Sequence, residues 1–518
     1  MAQEGEWELK FELDQTRDLA QDLADGSAAW LPSGIREATP RTLQTIYYDT
    51  PRTKLRKRHT ALRIRKSGDE FLQSIKQDGA GNFARGEWEQ AIDGPEPRPS
   101  AARGTPIEHF LAKRRQRDKL VPLFQVDVER RSCDVVKADS VIEASLDQGH
   151  VEAGGHRLPI RELEFELKQG DPSRLFEAAR EFVGKAPLRL SFISKGERGY
   201  RLRENSLTKP IPSSKVQFRR RLTAKEAMQA ICRICLHDLT SNVGTIEGEH
   251  AIEGVHKTRI ALRRLRAAMT LFKKITADEE SNRLRGEMKW LSDLLGEARD
   301  LDVLQIESTL PQARELSGGR ALVEIVAEKR HAAHEKLLQA VRSQRFYIFL
   351  IDLVRWIEDG DWLKAESRQG DGPVARFARR TIARRRKRLL KKADHLSNLP
   401  PEVRHRVRIA GKKLRYMTEF LQPLAKTKEQ QREHRRFVKQ LEKMQTSLGT
   451  LHDAEARGEF FRDIAQVPPA LTAPDGAASA AQSLAEVSPG DADLLRQAAS
   501  ACRKIAKTDP KDMFARGR

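Results

Sequence analysis

The sequence predicts an α+β protein, with an N-terminal many-stranded antiparallel sheet or barrel followed by an all-α half. Three observations carry this. Residues 1 to about 205 alternate apolar and polar side chains in short runs separated by turn signals. The Pro/Ser-rich stretch "SLTKPIPSSK" then marks a change of character near residue 206. From about 217 to 462, apolar residues recur at three- and four-residue spacing, and this stretch repeats itself.

In chain order, "WELKFEL", "LQTIYYD", "ALRIRK", "FLQSIKQ", "GEWEQAI", "FQVDVER", "VIEASLD" and "LEFELK" read as strands. "KSGDE", "DGAGN" and "GPEPRP" supply turns, and helical pieces fall at about 14–25, 105–119 and 171–184. The first domain is therefore set at 1–205 and a linker at 206–216. The helical domain spans 217–462, and "EDGDWLKAESRQGDGP" (358–373) splits it into halves at about 217–357 and 374–462. Residues 463–518 read as a flexible Pro/Ala/Ser-rich tail, with a last helix over "ADLLRQAASACRKIAK" (492–507).

Composition narrows the partners. The 518 residues carry 95 Lys+Arg against 74 Asp+Glu, a net +21 that favours a polyanion. Aromatic residues are 6%, which disfavours single-strand nucleic-acid readers that stack bases on rings. Four cysteines are too few for a disulfide framework. No apolar run of ~18 residues predicts a membrane span. No basic patch precedes an apolar stretch at the N-terminus, so the cytoplasm is the expected compartment, with polyphosphate granules as a site of association.

Strand side chains alternate faces, so charged rows can be read off directly. Glu6, Glu8, Lys10 and Glu12 share one face of the first strand, and Glu162, Glu164, Glu166 and Lys168 one face of a late strand. Arg63 and Arg65 alternate with Leu62 and Ile64, Lys76 faces with Ser74, and Arg85, Glu87 and Glu89 share a face. Arg130 follows Asp127, and Glu143 shares a face with Asp147. One such strand turns its charges to solvent; many, with acidic and basic rows on separate strands, suggest a barrel with a charged lumen. Clustered carboxylates need a hard cation, Mg²⁺ or Mn²⁺, and rows of Arg and Lys suit phosphate oxygens. A metal beside a basic cage fits a phosphoryl chain, whose transfer requires positioning and charge neutralisation but no side-chain nucleophile.

"EWELK" resembles the ExExK motif of the CYTH family, the triphosphate tunnel metalloenzymes. "IYYDTP", "LRIR", "SIKQ", "RGEWE", "IEASLDQG", "ELEFELKQG" and "SKGERGY" resemble that family's later blocks in order, over residues 4–203. The resemblance implies an eight-stranded antiparallel tunnel that hydrolyses, or occasionally cyclises, triphosphates with a divalent metal. It implies metal-side carboxylates at Glu6, Glu8, Glu164 and Glu166, joined by Glu143 and Asp147. It implies phosphate ligands at Lys10, Arg63, Arg65, Lys76, Arg85, Arg130 and Lys195. Arg198 fits the motif as either ligand or structural residue, and Glu162 and Lys168 rank lower. On this reading the acidic first and late segments meet across a closed lumen. Metal bridging Glu6, Glu8, Glu164 and Glu166 activates a water, and Lys10 orients that water or accepts its proton.

In the helical half "HKTRIALRRLR" (256–266) matches "HRVRIAGKKLR" (405–415), and "LGEARD" (295–300) matches "LGTLHD" (448–453). At ~100° per residue, His256, Arg259, Arg263 and Arg266 share a helix face, as do His405, Arg408, Lys412 and Arg415. Two such ribbons suit a long, regular anion. This half resembles the CHAD family of helical domains, which implies binding of inorganic polyphosphate through those eight residues. Lys257, Arg264, Lys413, His452 and Asp453 are secondary candidates, and Asp300 and Asp453 are placed to orient basic residues. "FARRTIARRRKRLLKK" (377–392) reads as one wall of the same surface or as a nucleic-acid patch.

The combined expectation is a hydrolase acting on phosphorus-containing anhydrides. It converts inorganic triphosphate to diphosphate and phosphate with Mg²⁺ or Mn²⁺, and carries a polyphosphate-binding domain. Nucleic acid and membrane are disfavoured as partners. The alternatives are a thiamine triphosphatase or class IV-type adenylate cyclase, and a non-catalytic polyphosphate-binding scaffold.

Overall fold

The computed structural model describes residues 7–13, 31–77, 86–183, 188–218, 221–306, 313, 315–466, 476–486 and 491–514. The chain divides into two compact units. The first comprises residues 1–211, 240–250 and 340–360, and the second comprises 212–239, 251–339 and 361–518. Their boundary at Ile211 and Pro212 falls inside the expected linker. Two segments of the helical stretch, 240–250 and 340–360, belong to the first unit.

Among the described residues the first unit holds nine strands rather than eight: β1 (Glu8–Leu13), β2 (Arg41–Asp49), β3 (Thr60–Ser67), β4 (Glu70–Gln77), β5 (Gly86–Ile92), β6 (Val121–Lys137), β7 (Ser140–Ala153), β8 (His156–Gln169) and β9 (Leu188–Ser191). They form one sheet in the order β5-β4-β3-β2-β6-β7-β8-β1-β9, with every pair antiparallel. Among the described residues no ladder joins β5 to β9. The sheet nevertheless curls until side chains from β1, β3, β4, β5, β6, β7 and β8 line one lumen.

Alternation explains why the curl is stable. On β1 and β8, Leu9, Phe11, Leu163 and Phe165 point away from the lumen and are at most 1% exposed. They are buried partly under α1 (Pro172–Val183), whose Phe182 ring lies 4.8 Å from Phe165, while Phe176 lies edge-on to Trp7. Each large apolar side chain buried this way contributes about 1.5–3 kcal/mol. The intervening charged residues are thereby left to face inward. After β9, α2 (Lys195–Arg203) packs against β6 and β7, with the Ser194 hydroxyl accepting from the Glu197 amide at its N-cap.

After α2 the described helices include, in chain order, α3 (Ala224–Val243), α4 (Ala251–Leu271), α5 (Glu279–Ile306), α6 (Gly319–Val341), α7 (Gln344–Asp359), α8 (Val374–Lys392), α9 (Pro401–Phe420) and α10 (Lys428–Ala465). Helix α7 lies in the first unit, on α1 and β9, with Phe346, Phe349 and Trp356 fully buried. In the second unit, α4–α5 and α9–α10 are the two copies of the repeat, and they meet where α4 packs on α9.

The described residues of the expected flexible tail are largely helical, and 467–475 and 487–490 lie outside the described residues. Helix α10 runs on to Ala465, and α11 (Ala477–Ala485) and α12 (Asp491–Lys507) both pack on it. Small residues make this close approach possible: Ala477, Ala480, Ala481 and Leu484 join Phe461 and Leu322 in one buried cluster. The expected last helix at 492–507 coincides with α12.

Candidate functional site

The register of β1, β8 and β7 arranges the charged residues in rungs. Glu8, Glu166 and Glu143 are consecutive partners across the three strands, so three like charges stand side by side on the lumen wall. The next rung is Lys10, Glu164 and Ser145, and the third is Glu12, Glu162 and Asp147, with Arg130 continuing it on β6. The first and late acidic strands are therefore hydrogen-bonded neighbours on one wall. They do not face each other across the lumen as the sequence suggested.

The second and third rungs are neutralised by cations inside the acidic wall. Lys195, from the start of α2, places its ammonium 2.8 Å from Asp147, 2.5 Å from Glu162 and 2.7 Å from Glu164. Arg130 reaches Asp147 and Glu164, each at 2.6 Å, and Lys10 reaches Glu164 at 2.6 Å and Glu8 at 2.8 Å. Arg198 closes the far side, pairing with Glu12 at 2.6 Å and Glu162 at 2.5 Å. Burial opposes the charge of Lys195, yet Asp147, Glu162 and Glu164 hold its pKa well above the ordinary lysine value. Burial likewise penalises ionised Glu164, but Lys10, Lys195 and Arg130 keep its pKa well below the usual carboxylate range. Lys10 is also raised, with Glu164 and Glu8 outweighing burial. In this arrangement the Lys10 ammonium stands between the Glu8 and Glu164 carboxylates.

Glycine lets α2 carry Lys195 this deep. A Cβ at Gly199 would lie 2.1 Å from the Phe124 ring, and one at Gly196 would lie 2.9 Å from the Tyr47 ring. The helix is tied to the β2–β3 loop through buried Asp49. Its carboxylate accepts from the amides of Thr50, Leu55 and Arg56 and from the Tyr200 hydroxyl at 3.0 Å. Arg56 in turn lies over the Tyr200 ring and pairs with Glu197 and Glu204.

Opposite lie Arg63 and Arg65 on β3 and Lys76 on β4, and this wall also contains acids. Buried Glu87 on β5 pairs with Arg63 at 2.9 Å and Lys76 at 2.7 Å, while Glu89 accepts from the Ser74 hydroxyl. Arg65 has its pKa lowered, first by Arg63 and then by burial. The expected separation into acidic and basic walls therefore does not hold. The lumen measures about 280 Å³, and its described lining carries eight Asp/Glu and eight Lys/Arg side chains. Glu6 and Arg85 lie outside the described residues.

The carboxylates suit a hard cation. Asp147, Glu162 and Glu164 can bring one oxygen each within 4.8 Å of one another, around the spot where Lys195 stands. The rung of Glu8, Glu166 and Glu143 has lysines beside it. Lys168 lies 2.8 Å from Glu166 and 3.8 Å from Glu143, while Lys10 serves Glu8. Like charges directly opposite across a ladder repel, and a set of oxygen-only donors suits a hard divalent cation.

The second unit has its own basic cavity, of about 1010 Å³. His256, Arg259 and Arg263 of α4 and Arg408 and Lys412 of α9 line it together, so the two ribbons of the repeat converge on one space. The repeat's acids orient them: Asp300 pairs with Arg259 at 2.9 Å and Asp453 with Arg408 at 3.3 Å. Three expected residues lie outside the lining. Arg266 donates to Ser292, Arg415 pairs with Glu419 and Glu442 beside the Tyr416 ring, and His405 packs on His452, Nδ1 to Nδ1 at 3.2 Å. Sequence reasoning missed four cations of the lining: Arg299, Lys329, Lys336 and Arg457. Burial, reinforced by Arg263, Arg408 and Arg259, pulls the Lys412 pKa down to about 7. Burial and the same crowding of cations lower His256 and His452.

The basic run 377–392 supplies none of the described lining. Arg385 donates to the Thr270 carbonyl in the last turn of α4, and Arg386 to the Ile505 and Ala506 carbonyls at the end of α12. These consecutive arginines donate to carbonyls in the last turns of two helices, where a cation is favourable. Arg264, a secondary candidate, is a buried partner of Asp238 at 2.5 Å.

Known proteins resemble both parts. The Haemophilus influenzae inorganic triphosphatase is 33% identical over 165 residues, 31% of this chain and 46% of that protein, so the chain spans about half the length of the curated relative it matches. Among solved structures, the CHAD domain from the plant Ricinus communis is 27% identical, covering 59% of this chain and 94% of that one, with a TM-score of 0.44. PptA from Streptomyces chartreusis is 16% identical, covering 55% and 99%, with a TM-score of 0.40. The CYTH domain model matches residues 4–200 and the CHAD domain model residues 230–462. The chain is thus a CYTH domain followed by a CHAD domain.

Proposed function

We propose that the tunnel hydrolyses inorganic triphosphate to diphosphate and phosphate with a divalent metal, and that the helical cavity binds inorganic polyphosphate. The observation that carries this is the aligned rung Glu8–Glu166–Glu143 in a lumen that also holds eight Lys and Arg side chains. Glu8, Glu143, Glu164 and Glu166 would hold the metal. Bound there, Mg²⁺ or Mn²⁺ supplies neutralisation of phosphoryl charge and a water of lowered pKa.

The chain's own residues do the rest. Arg63, Arg65, Lys76 and Arg130 grip phosphate oxygens, arginine in a bidentate manner. Arg63 and Lys76 exchange Glu87 for phosphate as the substrate enters. Lys10 and Lys195 stay protonated, hold the acidic rungs in place and orient the terminal phosphoryl group. No nucleophilic side chain is required. Inorganic triphosphate is favoured over thiamine triphosphate and ATP because Tyr47 and Tyr200 are the only Phe, Tyr or Trp residues in the described lining. Tyr47 is stacked on Phe124, and the Tyr200 hydroxyl is held by Asp49.

The test is a phosphate-release screen of tripolyphosphate, long-chain polyphosphate, thiamine triphosphate and ATP, with Mg²⁺, Mn²⁺ or EDTA. Metal-dependent release, fastest from tripolyphosphate, supports the reading. Tight polyphosphate binding without release from any substrate would instead indicate a scaffold.

A further inference from the structure

The two cavities differ in charge balance. The tunnel lining has eight acids against eight Lys/Arg among the described residues, whereas the helical cavity has three acids, Glu297, Asp300 and Asp453, against eight. A multivalent phosphate anion entering the tunnel adds charge that its lining does not neutralise. When phosphate displaces Glu87 from Arg63 and Lys76, that buried carboxylate also loses partners, at an energetic cost that grows in a low-dielectric lumen. Divalent cations entering with the chain offset both charges.

The helical cavity has the opposite problem. Its cations repel one another: Lys412, Arg263, His256 and His452 all have pKa values lowered by burial and by neighbouring cations. A bare polyphosphate relieves that repulsion directly. A divalent ion chelated to the chain removes the charge the cavity needs and adds a cation beside Arg259, Arg263 and Arg408.

We infer that the two sites select opposite metal states of the phosphate chain: the tunnel takes a divalent-metal complex, and the helical cavity takes the metal-free polyanion. Rising Mg²⁺ therefore promotes hydrolysis in one unit while releasing polyphosphate from the other. This rests on the proposed reading of the helical cavity as a polyphosphate site.

The test is binding of fluorescently end-labelled long-chain polyphosphate to the full chain, read by anisotropy in EDTA and in millimolar Mg²⁺, with ionic strength held constant by NaCl. The Glu166→Gln variant is used in parallel so that turnover does not consume the probe. The expected result is tight binding in EDTA that weakens about tenfold or more in Mg²⁺. The Arg263→Ala/Lys412→Ala double variant should lose the EDTA-phase affinity. Equal affinity in both conditions overturns this inference and leaves polyphosphate binding standing. No binding in EDTA overturns both, and undiminished binding by the double variant places the ligand elsewhere and overturns the assignment to this cavity.

Discussion

Lys195 and Glu164 form a 2.7 Å ion pair, and the same ammonium also holds Asp147 and Glu162, so one lysine from α2 neutralises three buried carboxylates of the sheet. Lys195→Ala removes the cation that all three share, leaving Arg130 on Asp147 and Glu164 and Arg198 on Glu162. Breaking a buried ion pair from one side typically destabilises by about 3–5 kcal/mol. Thermal unfolding should show a large loss of Tm, and Mg²⁺ should restore more of it in the variant than in the wild type. An unchanged Tm would mean the cluster is hydrated and carries little strain.

The same network sets a pH window. Glu164 has a folded pKa well below its ordinary 4.5, so its contribution is present above that value and is lost as pH falls through the folded pKa. Lys10 and Lys195 are raised above 10.5, so theirs is present below that value and is lost as pH rises through the folded pKa. The stability of the first unit should accordingly be flat between about pH 5 and 10 with respect to these groups. Circular-dichroism melts across pH check this, and a loss centred near pH 7 would contradict it.

Gly199→Ala forces a methyl group into the Phe124 ring, 2.1 Å from where the Cβ must sit. Overpacking of this kind costs about 1–3 kcal/mol, and here it also displaces Lys195 and Arg198 from the acidic rungs. Phosphate release should fall further than stability alone explains at a temperature where the variant remains folded. Wild-type kcat with lowered Tm would show that α2 tolerates the shift.

Much of this was legible in strand alternation. Leu62 and Ile64 are buried while Arg63 and Arg65 line the lumen, and Leu9 and Phe11 are buried beside Glu8 and Lys10. Strand neighbourhood was not legible, because β1 pairs with β8 and β9 across more than 150 residues, and local pattern carries no record of such pairing. Lys195 was found through a motif, but its central position depends on a nine-residue helix whose entry two glycines permit. In the second unit the faces that the wheel gave Arg259 and Arg408 are faces that line the cavity. Arg299 and Lys336 face the cavity only because of how α5 and α6 sit, which their own helix pattern does not encode. In the tail, alanine-rich sequence reads as flexible when it lies alone, and the small side chains of Ala477, Ala480 and Ala481 let α11 approach α10.

Lys412, with its pKa near 7, should make polyanion binding pH-dependent. A bound polyanion raises that pKa, so the complex holds a proton the free protein lacks. Affinity therefore rises as pH falls from the bound-state pKa towards about 7. Polyphosphate titrations at several pH values test this. Lys412→Arg should flatten the slope, and a slope unaltered in that variant would assign the proton to another group.

The central claim, that the rung Glu8–Glu166–Glu143 holds a catalytic divalent ion, is tested most directly by initial rates of phosphate release from tripolyphosphate during a Mg²⁺ titration of wild type and Glu166→Gln. The account predicts no release in EDTA and saturable release with Mg²⁺. It also predicts a kcat lower by about 100-fold or more in the variant, which should need more Mg²⁺ to saturate. Undiminished release in EDTA, or wild-type rates in Glu166→Gln, would contradict it.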